Sequence, residues 1–142
     1  MAAGTGKGMV HVVKVSNYST LMETRIGAEG EAVTCLCFGP GTNDGGAGGG
    51  DQTVVAGTST GRLVLLSVQS RDVVGEVRLE CAPTAIAPVS GEDGVFIVGG
   101  SDGSVRRIST ADLGGGAQAV ASWRASTFCF GLFLFFCRMW IV

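Results

Sequence analysis

Histidine is almost missing from this chain. His11 is the single copy, so no general-base pairing with a nucleophile stands out. Proline is sparse as well, at three residues, so strands can run without losing ladder donors. Ten basic and twelve acidic residues give a net charge of −2, and no basic stripe offers itself to nucleic acid. The opening MAAGTGKGMVHVVKV lacks the continuous apolar core of a secretory signal. The odd set of five cysteines is therefore expected as free thiols in a reducing cytoplasmic or nuclear compartment.

Glycine is the residue in excess, at 24 of 142, more than twice the roughly 7% of average usage. With 46% hydrophobic and 15% charged residues, the composition suits a packed domain of many short strands and tight turns. One stretch, Thr53–Val68 (TVVAGTSTGRLVLLSV), reads as a complete β-hairpin and has an echo in Val95–Thr110 (VFIVGGSDGSVRRIST). Placing Gly61 on Gly103, 42 residues on, brings Val55 onto Ile97, Ala56 onto Val98, Gly57 onto Gly99, Ser59 onto Ser101 and Leu63 onto Val105. Repeats of about 40–45 residues with four strands are the period of a propeller blade.

Along the chain, residues 1–8 read as a flexible lead-in. Met9–Val15 and Leu21–Ile26 read as two strands around an Asn17-Tyr18-Ser19 turn, the second half exposed. Ala32–Phe38 is apolar on both faces, as an inner strand buried on two sides would be. The glycine-rich segment Gly41–Gln52 is a surface loop. In the hairpin that follows, Leu63 and Leu65 face one way and Val64, Leu66 and Val68 the other. Asp72–Leu79 returns to half exposure, with Val77 and Leu79 opposite Glu76 and Arg78. The cycle restarts at Thr84–Val89, where Ile86-Ala87-Pro88 takes the place of Phe38-Gly39-Pro40. The second hairpin is turned by Ser101-Asp102-Gly103, whose Asp-Gly pair predicts a two-residue type I′ turn. Ala117–Trp123 completes that cycle as an outer strand.

The pattern resembles WD40 repeats: V-x-x-L-x-F-x-P, an apolar strand, then G-x-S-x-G or G-S-D-G, then an alternating strand. The matching residues are Val33, Leu36, Phe38, Pro40, Gly57, Ser59 and Gly61, and then Ile86, Pro88, Gly99, Ser101, Asp102 and Gly103. The Trp-Asp pair that closes a third strand is replaced by Ser67-Val68 and Ile108-Ser109, and no Gly-His opens a blade. The resemblance implies an all-β partial β-propeller of about two and a half four-stranded antiparallel blades. Residues 9–124 form the repeat region, with a half blade at 9–26 and blades at 32–79 and 84–123. Because such propellers close with about seven blades, the resemblance also implies a truncated fragment or a chain completed by a partner.

Residues 125–142 change character. Five of the seven phenylalanines lie there, and no acidic residue follows Asp112. Eighteen residues at about 1.5 Å each reach roughly 27 Å, close to a bilayer core of about 30 Å, so a tail anchor is one reading. A segment read through from non-coding sequence is another, and a core strand or helix a third.

Sites for chemistry are scarce. Gly4-Thr5-Gly6-Lys7 lacks the earlier glycine, the following Ser or Thr and the preceding strand of a phosphate loop. Gly45–Asp51 misplaces its aspartate for a calcium nonapeptide and stands alone. Cys35 and Cys37 share a strand face, but a tetrahedral metal site needs four ligands. Catalysis, a cofactor and a bound metal are therefore not expected. The leading expectation is a non-catalytic interaction scaffold, a subunit of a larger multiprotein assembly, that binds other proteins through its loops or open blade edges. A tail-anchored protein presenting a small β domain to the cytosol is the alternative. The WD40 resemblance implies docking on the blade-rim loops, which here carry Glu29, Glu31, Thr60, Arg62, Asp102 and Ser104.

Overall fold

The structure, a computed structural model, describes residues 1–39, 52–110 and 113, and residues 121–124 as backbone alone. The Gly41–Gln52 loop apart from its last residue, the 117–120 part of the expected outer strand and the 125–142 tail lie outside the described residues. Among the described residues, no helix is long and apolar enough to cross a membrane.

Eleven strands among the described residues form three antiparallel sheets. Blade one is β1 (Ala2–Gly4), β2 (Met9–Lys14) and β3 (Ser19–Arg25). Blade two is β4 (Val33–Phe38), β5 (Thr53–Thr58), β6 (Arg62–Ser67) and β7 (Val73–Arg78), paired in chain order. Blade three is β8 (Pro83–Pro88), β9 (Val95–Gly100), β10 (Ser104–Ser109) and β11 (Ala121–Arg124), again in chain order. This meander is what short apolar runs joined by glycine turns dictate, since antiparallel neighbours need only tight connections.

Strand β6 is the wall on which the packing rests. Its side chains alternate between two cores, as the period of 2 requires. Leu63 and Leu65 enter one with Val55, Val77 and Leu79, facing Phe96, Val98 and Ile108 of blade three. Val64 and Leu66 enter the other with Val54 and Ala56, facing Val10, Val12, Met22 and Ile26 of blade one. Each core is thus a blade-to-blade interface. A fully buried Val or Leu contributes about 1.5–3 kcal/mol of transfer free energy before entropy is counted, so neighbouring blades supply most of each other's stability.

Four expectations need correction. The first eight residues are not a loose lead-in: Ala2, Ala3 and Gly4 pair with Val12, His11 and Val10. The small side chains let β1 lie against the next inner strand, with Gly4 packed on Val33 and Leu36. β1 accordingly adds a third strand to the two expected over residues 9–26. Strand β4 is half buried, with Thr34 exposed, because it is the inner edge of its sheet and β8, not a covering layer, lies beside it. Strand β8 aligns with β4 at 50 residues, since Val33 opposes Thr58 as Pro83 opposes Gly100. Pro88 therefore matches Phe38, and an edge strand tolerates it.

The fourth correction concerns the hairpin turns. Leu63 pairs with Gly57 and Val105 with Gly99, which leaves three-residue loops, not two. Each is a type I turn closed by a left-handed glycine: Gly61 at φ 87° and Gly103 at φ 78°. Asp102 stays out of the left-handed region because its carboxylate accepts the Ser104 N–H at 3.0 Å. A Cβ on Gly61 would stand 2.7 Å from the Leu79 carbonyl oxygen, whereas one on Gly103 meets nothing within 4 Å. Gly61→Ala is expected to lower stability by about 2 kcal/mol or more, against about 1 kcal/mol for Gly103→Ala, which carries the backbone strain alone. Urea midpoints of the two variants measure the difference.

Candidate functional site

Each blade's hairpin turn meets the connection that leads into an inner strand, and together they form one rim. At blade two the Ser59 hydroxyl accepts the Ala32 N–H at 3.1 Å, and the Ser59 N–H donates to the Ala32 carbonyl at 2.9 Å. At blade three the Ser101 N–H donates to the Ala82 carbonyl at 2.8 Å. A backbone bond thus clasps turn to connection in both blades, and at blade two the Ser59 hydroxyl adds a second bond.

Behind the blade-two clasp lies a charged network. Glu31 is 3% exposed. One of its carboxylate oxygens takes the Thr60 hydroxyl, and the other takes the Ala28 N–H at 2.8 Å and an Arg62 guanidinium nitrogen at 3.3 Å. The same Arg62 nitrogen donates to the Ile26 carbonyl at 2.9 Å. Arg62 also grips Glu76 with two parallel bonds, Nε to Oε1 at 2.8 Å and Nη2 to Oε2 at 2.6 Å, the strongest geometry for this pair. One arginine therefore joins the outer strand, the hairpin and the blade-one connection.

The electrostatics follow from these partners. Burial alone would raise the Glu31 carboxyl, but the Thr58 and Thr60 hydroxyls, the Ala28 N–H and the Arg62 charge outweigh it and hold it at about 2. The Arg62 hydrogen bond is the main cause of a lowered Glu76 carboxyl, and Glu76 in turn raises the guanidinium. A depressed carboxyl stabilises the fold fully above its unfolded value, about 4.5, and the gain is lost as pH falls toward about 2. Acid titration of the folded chain should show stability falling across that window by about 3 kcal/mol from Glu31. Glu31→Gln should flatten that part of the profile.

Blade three builds its rim differently. The connection places Cys81 where blade two has Glu31, and the turn has Asp102 and Ser104 where blade two has Thr60 and Arg62. The Ser104 hydroxyl donates to Asp102 at 2.6 Å, and the Cys81 thiol lies 3.7 Å from that hydroxyl. The Ser104 hydroxyl, its N–H and Cys81 hold the Asp102 carboxyl below the usual range. Arg106, 7% exposed, donates to Glu80 at 3.3 Å, and its Nε has no partner among the described residues.

Blade one repeats the same turn. The Gly8 N–H donates to Thr5 O at 3.2 Å, as Gly61 does to Thr58 O and Gly103 to Gly100 O at 3.1 Å. The Thr5 hydroxyl accepts the Met9 N–H at 3.1 Å, as the Thr58 hydroxyl accepts Arg62's at 3.2 Å. Ile26 donates to the Gly8 carbonyl at 2.9 Å, and Leu79 to the Gly61 carbonyl at 2.7 Å. The glycine-lysine segment of residues 4–7 is therefore part of a third copy of the blade hairpin. It is not a disordered end.

Of the six rim residues expected from the sequence, the structure brings Glu31, Thr60 and Arg62 into one network and Asp102 and Ser104 into another. Glu31 and Ser104 are buried, so their side chains serve the rim's own architecture. Glu29, Thr60 and Asp102 are exposed. Glu76, Glu80 and Arg106 were missed. Register alone could have found Glu76, which lies diagonally across from Arg62 on one face. Cys35 and Cys37, both raised chiefly by burial, stand apart from the rim networks, and Cys37 packs on the second inter-blade core. Among the described residues no group of three His, Cys, Asp or Glu side chains is placed to hold a metal.

No protein-family profile and no curated protein sequence matches the chain. Solved structures do. BBS1N, crystallised in complex with ARL6DN, superposes over 88% of this chain and 39% of its own, with a TM-score of 0.66 at 17% identity. The computationally designed Ika8 protein matches over 88% and 34% at a TM-score of 0.62 and 18% identity. BamB from Moraxella catarrhalis matches over 88% and 33% at 0.61 and 21% identity. This chain spans between a third and two fifths of those chains. Three antiparallel blade sheets packed face to face, with these neighbours, make the chain an all-β partial β-propeller.

Proposed function

We propose that the chain is a non-catalytic WD40-like interaction module, a structural part of a multiprotein assembly in the cytoplasm or nucleus. One observation carries this reading: the rim loops are fixed from within by the Glu31–Thr60–Arg62–Glu76 network and the Asp102–Ser104 pair. Loops ordered before binding lose less entropy on docking a partner. Lys7, Glu29, Thr60 and Asp102 are among the exposed side chains on that rim. The Ser59 hydroxyl clasp, in the G-x-S-x-G turn, is consistent with the WD40 reading of the repeat. Among the structural neighbours, BBS1N was crystallised in complex with ARL6DN.

The test separates rim from edge. The full chain is tagged in cells and its native assemblies are sized by gel filtration. Lys7→Glu combined with Glu29→Lys is expected to shift the chain to smaller species while its melting temperature holds. Val74→Thr on the outer strand should change neither. An assembly indifferent to the rim variant would end the reading.

A further inference from the structure

Matching the three turn glycines, Gly8, Gly61 and Gly103, puts every face position of the blades in correspondence. Each blade has a leading face, packed on the next blade, and a trailing face, packed on the previous one. On blade two's trailing face Val64 and Leu66 are buried and Glu76 takes both bonds from Arg62. On blade one's trailing face the same three positions are His11, Val13 and Glu23, and the arginine's place is held by Met9. Glu23 is 56% exposed; His11 lies 3.9 Å from it, and Arg25 follows on the same face, opposite Met9 as Arg78 is opposite Arg62. Among the described residues it is a carboxylate in an arginine-accepting position without an arginine bonded to it, because Met9 stands where blade two has Arg62.

The leading face of blade three carries the complementary group. Where blade two has Leu63 and Leu65 and blade one has Val10 and Val12, blade three has Val105 and Arg107, with Ile97 beside them. Val105 and Ile97 are half buried, and Arg107 is 40% exposed and paired to Glu92. At the two internal junctions these leading positions face the trailing positions now held by His11 and Val13. The same stacking continued by one blade would set Arg107 against the His11–Glu23 pair. A charged residue at this level is compatible with a blade interface, since Arg106, in the His11 position, is buried between blades two and three.

We infer that a second copy of this chain docks head to tail, the Ile97–Val105–Arg107 face of blade three on the Ala3–His11–Val13–Glu23 face of blade one, with Arg107 bonded to Glu23 across the junction. Charge complementarity selects the occupant: the Arg107–Glu92 pair on one face and the Glu23–Arg25 pair of opposite charges on the other let Arg107 reach Glu23 of the next copy. The contact is heterologous and repeats until a ring closes. The inference rests on the blade correspondence and is independent of the scaffold reading above.

Sedimentation equilibrium of the full 142-residue protein tests it. The wild type should associate in a concentration-dependent way. Glu23→Lys and Arg107→Glu should each weaken association about tenfold or more by setting like charges together. An equimolar mixture of the two variants should recover to within about threefold of wild type, because each then meets an opposite charge on its neighbour. A cooperative melting transition shows that each variant folds; that of Arg107→Glu should fall slightly, since the new carboxylate stands beside Glu92. A wild type that stays monomeric at about 100 μM, well above the range of specific association, would overturn the inference. So would association insensitive to both reversals, as contacts through the apolar 125–142 segment would be, or a mixture no better than its components.

Discussion

Glu31→Ala should lower the unfolding free energy by about 2–3 kcal/mol, the cost of leaving buried donors without their charged acceptor. The magnitude follows from what is left behind. The Arg62 nitrogen between Glu31 and the Ile26 carbonyl loses its counter-charge, and the Ala28 N–H and the Thr60 hydroxyl lose their acceptor. Arg62 keeps Glu76, so the guanidinium is not stranded altogether. Glu31→Gln should cost less, because an amide oxygen still accepts one of those donors. Thr60→Ala combined with Glu31→Ala should cost less than the sum of the two, since both remove one network. Chemical denaturation of the four proteins gives the cycle. Additive costs would mean that the network does not act as a unit.

Leu66→Ala and Leu63→Ala are the second pair of large effects, at about 2–5 kcal/mol each. Both side chains are fully buried, and they stand on one strand but point into different cores. Leu66→Ala opens a cavity against Val10, Val12 and Met22 of blade one, and Leu63→Ala opens one against Val98 and Ile108 of blade three. Two holes separated by a sheet should add within about 0.5 kcal/mol. A small domain holds about 5–15 kcal/mol in all, so the double variant should be largely unfolded at room temperature. Circular dichroism against urea reads all three proteins. A single substitution costing under 1 kcal/mol would mean that its core does not exist as a blade interface.

The alternation in LVLLSV was enough to reveal β6 as a two-faced strand, because a period of 2 with leucine and valine on both faces has few other solutions. The 42-residue echo placed blade three for the same reason. The N-terminal strand was illegible because Ala2, Ala3 and Gly4 carry no hydrophobic pattern, and their pairing to β2 rests on backbone bonds. The third turn was hidden by its lysine, which suggested a phosphate loop, although the left-handed glycine after it is the shared feature. The turn type at Asp102 was misread since Asp-Gly favours two loop geometries, and the Asp102–Ser104 bonds select the three-residue one. At the rim, residue types pointed to the right neighbourhood but not to roles. Thr60, Arg62 and Glu31 were legible as polar groups near turns. Their convergence depends on a contact across about thirty residues, which only the packed connection creates.

The stacking of three blades through β6 is most directly measured by methyl–methyl nuclear Overhauser contacts in a selectively labelled sample. The predicted result is two disjoint sets. Leu66 and Val64 should touch Val10, Val12 and Met22, while Leu63 and Leu65 touch Val98 and Ile108. Contacts from both faces of β6 to one common set, or none from Val10 and Val12 to blade two, would contradict it.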